Sequence, residues 1–158
     1  MSTSPSDRDL WQAYEDAHSE MSRYRAEFDE HAKDRTEILR AALGSGPRAI
    51  AALDFLEARS GDGSVGLALL PELVEWTRSH RYARFARQAI NAIPSERLLP
   101  VLEPLILERL DSADGEEYLR YAELLFHIEA RELLGRLTAR ALASDDPDTR
   151  EVGEDYTQ

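Results

Sequence analysis

An all-α fold is predicted by three features of this chain. Apolar residues recur at helical spacing along nearly its whole length, no segment alternates apolar and polar residues over a useful stretch, and β-branched residues are scarce. At 158 residues and 42% apolar composition the chain is long enough for one domain with a real core. The expected architecture is a short α-solenoid of antiparallel helix pairs preceded by a long N-terminal helix.

That first helix is expected within residues 1–33, packing on or capping the remainder. Leu10, Tyr14, Ala17, Met21, Tyr24, Phe28 and His31 follow one another in steps of four and three, drawing one stripe down a helix over 6–33. Ser6 with Asp9 three residues on is an N-cap signature. The stripe also reads as about three heptads, so an intermolecular coiled coil competes with packing inside the domain.

From 34 to 158 the pattern becomes short helix, short break, short helix. "RTEILRAAL" (35–43) is the first, "GSGP" at 44–47 stops it, and Pro47 opens "RAIAALDFLEAR". "SGDGS" at 60–64 is the most flexible break in the chain. "VGLALLPELVEWTRSH", "RYARFARQAINAI", "SERLLPVLEPLILERL", "GEEYLRYAELLFHIE", "ARELLGRLTARALAS" and "DPDTREVGEDY" each read as one further helix. Pro71 and Pro100 are tolerable in first turns, so helices are expected to start near 69 and 98, while Pro104 lies one turn inside and bends its helix.

The helices repeat. Leucine doublets begin at 69, 98 and 133, and each heads a helix whose apolar face continues three or four residues later. The intervening helices "PRAIAALDFL", "ARQAINAI", "LRYAELLFHI" and "TREVGED" each carry an arginine second, at Arg48, Arg87, Arg120 and Arg150. A helix-pair unit of roughly 30 to 39 residues marks a solenoid, in which no pair can bury its apolar face alone. On "LLPEL", "LLPVL" and the run "DPDTRE" at 146–151, residues 34–156 resemble the HEAT-repeat family, whose second helices start with Asp-Pro-x-x-Arg. The resemblance implies bent first helices and an arginine that links neighbouring repeats structurally rather than chemically.

Composition narrows the function. With no cysteine, disulfides, thiolate zinc sites and cysteine nucleophiles are excluded, which fits a reducing compartment. The stretch "MSTSPSDRDLWQ" lacks the basic and apolar regions of a secretion signal, and no apolar run approaches the ~20 residues of a bilayer crossing. A cytoplasmic protein is expected, and arginine at 18 of the 19 basic positions fits the coding bias of a GC-rich bacterium.

The net charge of −12 is concentrated in residues 95–158, where 16 acids meet 7 bases. Phosphate repulsion disfavours nucleic acid there and points to a protein partner with a basic surface. The four histidines stand far apart in sequence without a motif, and the single Glu15-x-x-His18 lacks the second copy a di-iron site needs. His127, within "LLFHI", reads as a partly buried structural histidine. Neither glycine-rich loop has the lysine of a phosphate loop. No catalytic, metal or cofactor site is expected.

Two clusters remain as candidate partner-binding residues. One is the arginine-rich stretch 78–88, with Arg78, Arg81, Arg84 and Arg87 at every third position beside Trp76. The other is acidic: Glu116, Glu117, Asp145 and Asp146. They predict a non-enzymatic protein-binding module, in its sharpest form an acidic immunity or antitoxin-type protein that blocks a basic toxin. The alternative is a DNA-modifying enzyme, since the alkylpurine DNA glycosylases use HEAT-like repeats; Trp76 and the arginines are the local features in its favour.

Overall fold

The computed structural model describes residues 4–58 and 62–157. Among them the chain is entirely helical, with ten α-helices and no strand. It divides into two compact units, Met1–Arg35 and Thr36–Gln158.

The first unit is one helix, α1 (Asp7–His31). Ser6 starts it as the sequence predicts: its hydroxyl accepts from the Asp9 N–H at 3.3 Å, and the Asp9 carboxylate accepts from the Ser6 N–H at 3.0 Å. This reciprocal box satisfies two of the donors a helix start leaves unpaired. Beyond the C-terminus the Arg35 guanidinium turns back to the Asp29 carboxylate at 2.6 Å. No residue of α1 is buried, and Leu10, Trp11, Tyr14, Met21 and Tyr24 are all exposed.

The second unit contains α2 (Arg35–Leu43), α3 (Gly46–Glu57), α4 (Ser64–Ala68), α5 (Leu70–Trp76), α6 (Ala83–Asn91), α7 (Ser95–Leu110), α8 (Gly115–His127), α9 (Arg131–Leu142) and α10 (Pro147–Asp155). Each packs mainly on near neighbours in the chain: α6 on α3 and α5, α8 on α9, and α10 on α8 and α9. Leu53, Leu70, Leu73, Ile90, Leu102, Ile106, Leu124, Leu125 and Leu137 form the core, each fully out of solvent. The repeated leucines are thus core residues in all three copies, except Leu99, which is 37% exposed. Where α10 crosses its neighbours the chains meet closely. A Cβ on Gly115 would lie 2.8 Å from the Asp148 Cβ, and one on Gly153 would lie 2.9 Å from the Leu142 backbone nitrogen.

Three local expectations are corrected. The stretch 65–80 is two helices rather than one: Pro71 has no N–H for the Leu67 carbonyl, and the chain resets at Leu69 (φ −104°, ψ 8°) so that Pro71 falls in the first turn of α5. α7 covers the whole stretch 95–110 that reads as one helix, so the start near 98 inferred from Pro100 does not hold, and Pro100 as well as Pro104 lies inside it. Both prolines are exposed and four residues apart, so the carbonyls they leave unbonded lie on one solvent-facing stripe where water satisfies them. Finally, α6 starts only at Ala83, so Arg78 and Arg81 stand in the turn before it. Of the break at 60–64, residues 60 and 61 lie outside the described residues. Asp62 accepts from the Ser64 N–H at 3.0 Å, and Gly63 adopts the left-handed φ of 78° that a side chain disfavours.

Candidate functional site

The candidate residues separate into four settings. Arg78, Glu116 and Glu117 come together around a cavity of about 410 Å³ between the α5–α6 turn and the start of α8. Asp114 caps α8 and Glu117 completes the box, each accepting the other's N–H at 2.9 and 3.1 Å. That fixes the Glu117 carboxylate 2.6 Å from Arg78, which also reaches Glu75 at 3.1 Å. Opposite, Arg120 donates to Nδ1 of His80 at 2.8 Å while Nε2 of His80 faces Glu116 at 3.1 Å. Arg120, His80 and Glu116 thus form one run of polar contacts along the cavity wall, and Arg78 with Glu117 forms another.

Trp76 and Arg81 form a second setting. The half-buried indole meets Tyr82 edge to face, centroids 5.3 Å apart at 81°, and the exposed Arg81 guanidinium lies 5.4 Å from the same ring. Arg84 is exposed on α6 and joins no ion pair among the described residues.

Arg87, one turn further along α6, is half-buried and pairs with Glu123 of α8 at 2.7 Å. Arg120 reaches the same Glu123 oxygen at 3.1 Å, so one carboxylate neutralises two guanidinium groups. This cluster edges a cavity of about 550 Å³, whose wall also carries Phe126, His127, Arg131 and Tyr156. Phe126 and Tyr156 meet edge to face at 6.1 Å. His127 lines this cavity with its ring largely open to solvent, and desolvation by partial burial, followed by the Arg87 charge, holds its pKa below the ordinary value.

Asp145 and Asp146 lie elsewhere, at the start of α10. The Asp146 carboxylate caps that helix, accepting from the Thr149 N–H at 2.9 Å and its hydroxyl at 2.6 Å. Those hydrogen bonds lower its pKa. Asp145 is exposed and joins no ion pair among the described residues.

Sequence reasoning missed a second set of arginines. Arg40, Arg109 and Arg140 occupy the last turns of α2, α7 and α9. Each donates both to a backbone carbonyl and to a carboxylate on a neighbouring helix. Arg40 reaches the Ala68 carbonyl at 3.0 Å and Glu72 at 2.6 Å; Arg109 reaches the Pro71 carbonyl at 3.3 Å and Glu75. Arg140 takes the Leu107 carbonyl at 3.2 Å and Asp111 at 2.6 Å. Hydrogen bonds to Glu72 and Asp111 raise the pKa values of Arg40 and Arg140, so both stay charged. A signal was available: "ILRAAL", "LERL" and "TARAL" each set an arginine among apolar residues just before a break.

Among the described residues no three His, Asp or Glu side chains are placed to hold a metal ion, and no helix is long and apolar enough to cross a membrane. No protein-family model, curated protein or solved structure matches this chain.

Proposed function

We propose that residues 34–158 form a HEAT-like stack of helix pairs that serves as a protein-binding module for a partner with a basic surface, in the cytoplasm. Packing of consecutive helices and the arginine links between α2, α5, α7 and α9 support the solenoid reading. One observation carries the binding reading. Asp145, Asp148, Glu151, Glu154 and Asp155, on and just before α10, are exposed and joined to no arginine among the described residues. Arg150 is the only base on that helix. This run carries a dense part of the negative charge of the last third, and its field would steer a basic protein on approach. An immunity-type protein that covers a basic toxin is the sharpest form of this reading. The inward pairing of Arg78 and Arg87 weighs against a nucleic-acid surface at 78–88.

The test is capture from native lysate by the wild-type chain and by a variant with Asp145, Asp148, Glu151 and Glu154 changed to lysine. Basic proteins retained at about 50 mM salt, released at about 500 mM, and not retained by the variant are expected. Retention of the same proteins by the variant refutes the electrostatic form of the proposal.

A further inference from the structure

The apolar stripe of α1 is the largest feature the proposed function leaves unused. Leu10, Tyr14, Met21 and Tyr24 are 56%, 60%, 48% and 55% exposed, and Trp11 beside them is 59% exposed. Trp11 stacks on Tyr14 at 5.5 Å, and the Arg23 guanidinium lies 4.8 Å from the Tyr24 ring, so the aromatic face is already ordered. With Ala17 and Phe28 the stripe fills alternate a and d positions without interruption, Tyr14, Met21 and Phe28 at a and Leu10, Ala17 and Tyr24 at d. We infer that this face is the seam of a parallel two-stranded coiled coil between two copies of the chain.

Charge selects both the occupant and its direction. In a parallel pair each g position meets the e position five residues on in the other helix. Glu20 at g then faces Arg25 of the second copy, twice by symmetry, and no like charges meet across the seam. An antiparallel pair over the full stripe brings Tyr14 against Tyr24 and Phe28 against Leu10, but it sets Glu20 against Glu20 at the centre. Slipping it by one heptad toward the C-terminus sets Glu20 against Glu27 at two places, and slipping it the other way gives up a heptad of the seam. The second copy therefore fits along the whole stripe in the parallel direction only.

Area agrees with a weak, specific dimer. Five side chains of roughly 200 Å² each, a little over half exposed, offer about 500 Å² per copy. The pair buries about 1,000 Å², at the low end for a specific interface, and a weak dimer with a dissociation constant of the order of micromolar is expected.

Sedimentation velocity on the full chain at about 100 µM, well above that constant, is expected to give the mass of a dimer. Tyr14→Glu with Met21→Glu is expected to give a monomer whose helical circular dichroism from the second unit persists. Glu20→Gln is expected to weaken the dimer about fivefold, the loss of two exposed ion pairs. The chain has no native cysteine, so Ala17→Cys reports direction: side-by-side d positions cross-link on oxidation, whereas Ser19→Cys on the outer face does not. A monomeric wild type, with the stripe then serving a different partner, overturns the inference. So does a dimer that survives Tyr14→Glu with Met21→Glu, one that tightens on Glu20→Gln, or one whose Ala17→Cys form fails to cross-link.

Discussion

Two glycines in the second unit invite the same substitution and are expected to respond with opposite signs. Gly135 lies inside α9, exposed, with open space where a Cβ would stand. Replacing it by alanine removes the backbone freedom that makes glycine a poor helix former, which stabilises by about 1 kcal/mol. Gly153 lies inside α10, and helix propensity alone predicts the same gain. There, however, a Cβ lands 2.9 Å from both the backbone nitrogen and the Cγ of Leu142, and 3.1 Å from the Ala141 Cβ. Restoring an ordinary contact of about 3.5 Å requires α9 and α10 to separate by about half an ångström, and one obstacle is backbone that cannot rotate away. Overpacking costs about 1–3 kcal/mol, and an obstacle that is backbone puts this case in the upper part of that range, about 2–3 kcal/mol, so that after the propensity gain a net loss of about 1–2 kcal/mol is left. Thermal unfolding followed by circular dichroism reads both, at about 2–4 °C per kcal/mol for a chain of this size. Gly135→Ala is expected to raise Tm by about 3 °C and Gly153→Ala to lower it by about 3–6 °C. A rise for Gly153→Ala refutes the close approach of α9 and α10 and, with it, the packing that positions the acidic face of α10.

The Glu123 carboxylate, half-buried between Arg87 and Arg120, gives a second prediction. Glu123→Ala leaves two guanidinium groups facing each other and is expected to destabilise by about 2 kcal/mol, less than a fully buried pair because both partners are about a quarter exposed. Urea unfolding measures it, and a double-mutant cycle with Arg87→Met separates the pair from the packing; a loss under about 0.5 kcal/mol contradicts the paired arrangement. Asp62 supplies the pH dependence. Hydrogen bonds from Ser64, with a smaller contribution from Arg97, pull its pKa down to about 2 from 3.8. A carboxyl depressed in the folded state stabilises that state above its unfolded pKa, and the contribution is lost as pH falls from about 4 to about 2. NMR titration of the Asp62 carboxyl is expected to show the low value, and Asp62→Asn is expected to lose part of the stability slope in that window; a titration near 3.8 refutes the hydrogen-bonded turn.

Much of the helical plan was legible because it depends on local chemistry. The bounds of α2 at 35 and 43 follow from an apolar stripe ended by Gly44, and the capping box at Ser6 and Asp9 needs only four residues of sequence. The start of α7 was less accessible. Pro100 argues for a helix start only if its missing hydrogen bond has to be hidden, and whether position 100 faces water depends on how α7 packs. The site shows the same division. Arg78, Glu116 and Glu117 were each legible as charged residues near a break, yet their meeting spans almost forty positions and exists only because α8 starts beside the α5–α6 turn. Spacing also misplaced Arg81, which belongs to a turn and an aromatic ring rather than to a helical arc.

The arginine links explain why the charge of the chain appears where it does. Glu72 and Glu75 on α5 are matched by Arg40 and Arg109, Glu103 on α7 and Asp111 just past its end by Arg136 and Arg140, and Glu123 on α8 by Arg87 and Arg120. All but Arg120, which meets Glu123 within α8, hold one helix to another, and each has its charge offset by a carboxylate of the fold. The carboxylates of α10 have no such counterpart, and Arg150 alone cannot balance them. A net charge of −12 is therefore not a diffuse property of the surface. Pairing elsewhere leaves residues 145–155, with six carboxylates and Arg150 as their one base, as a dense run of uncompensated charge, and such a local field is what distinguishes a partner with a matching basic patch from one that is merely cationic.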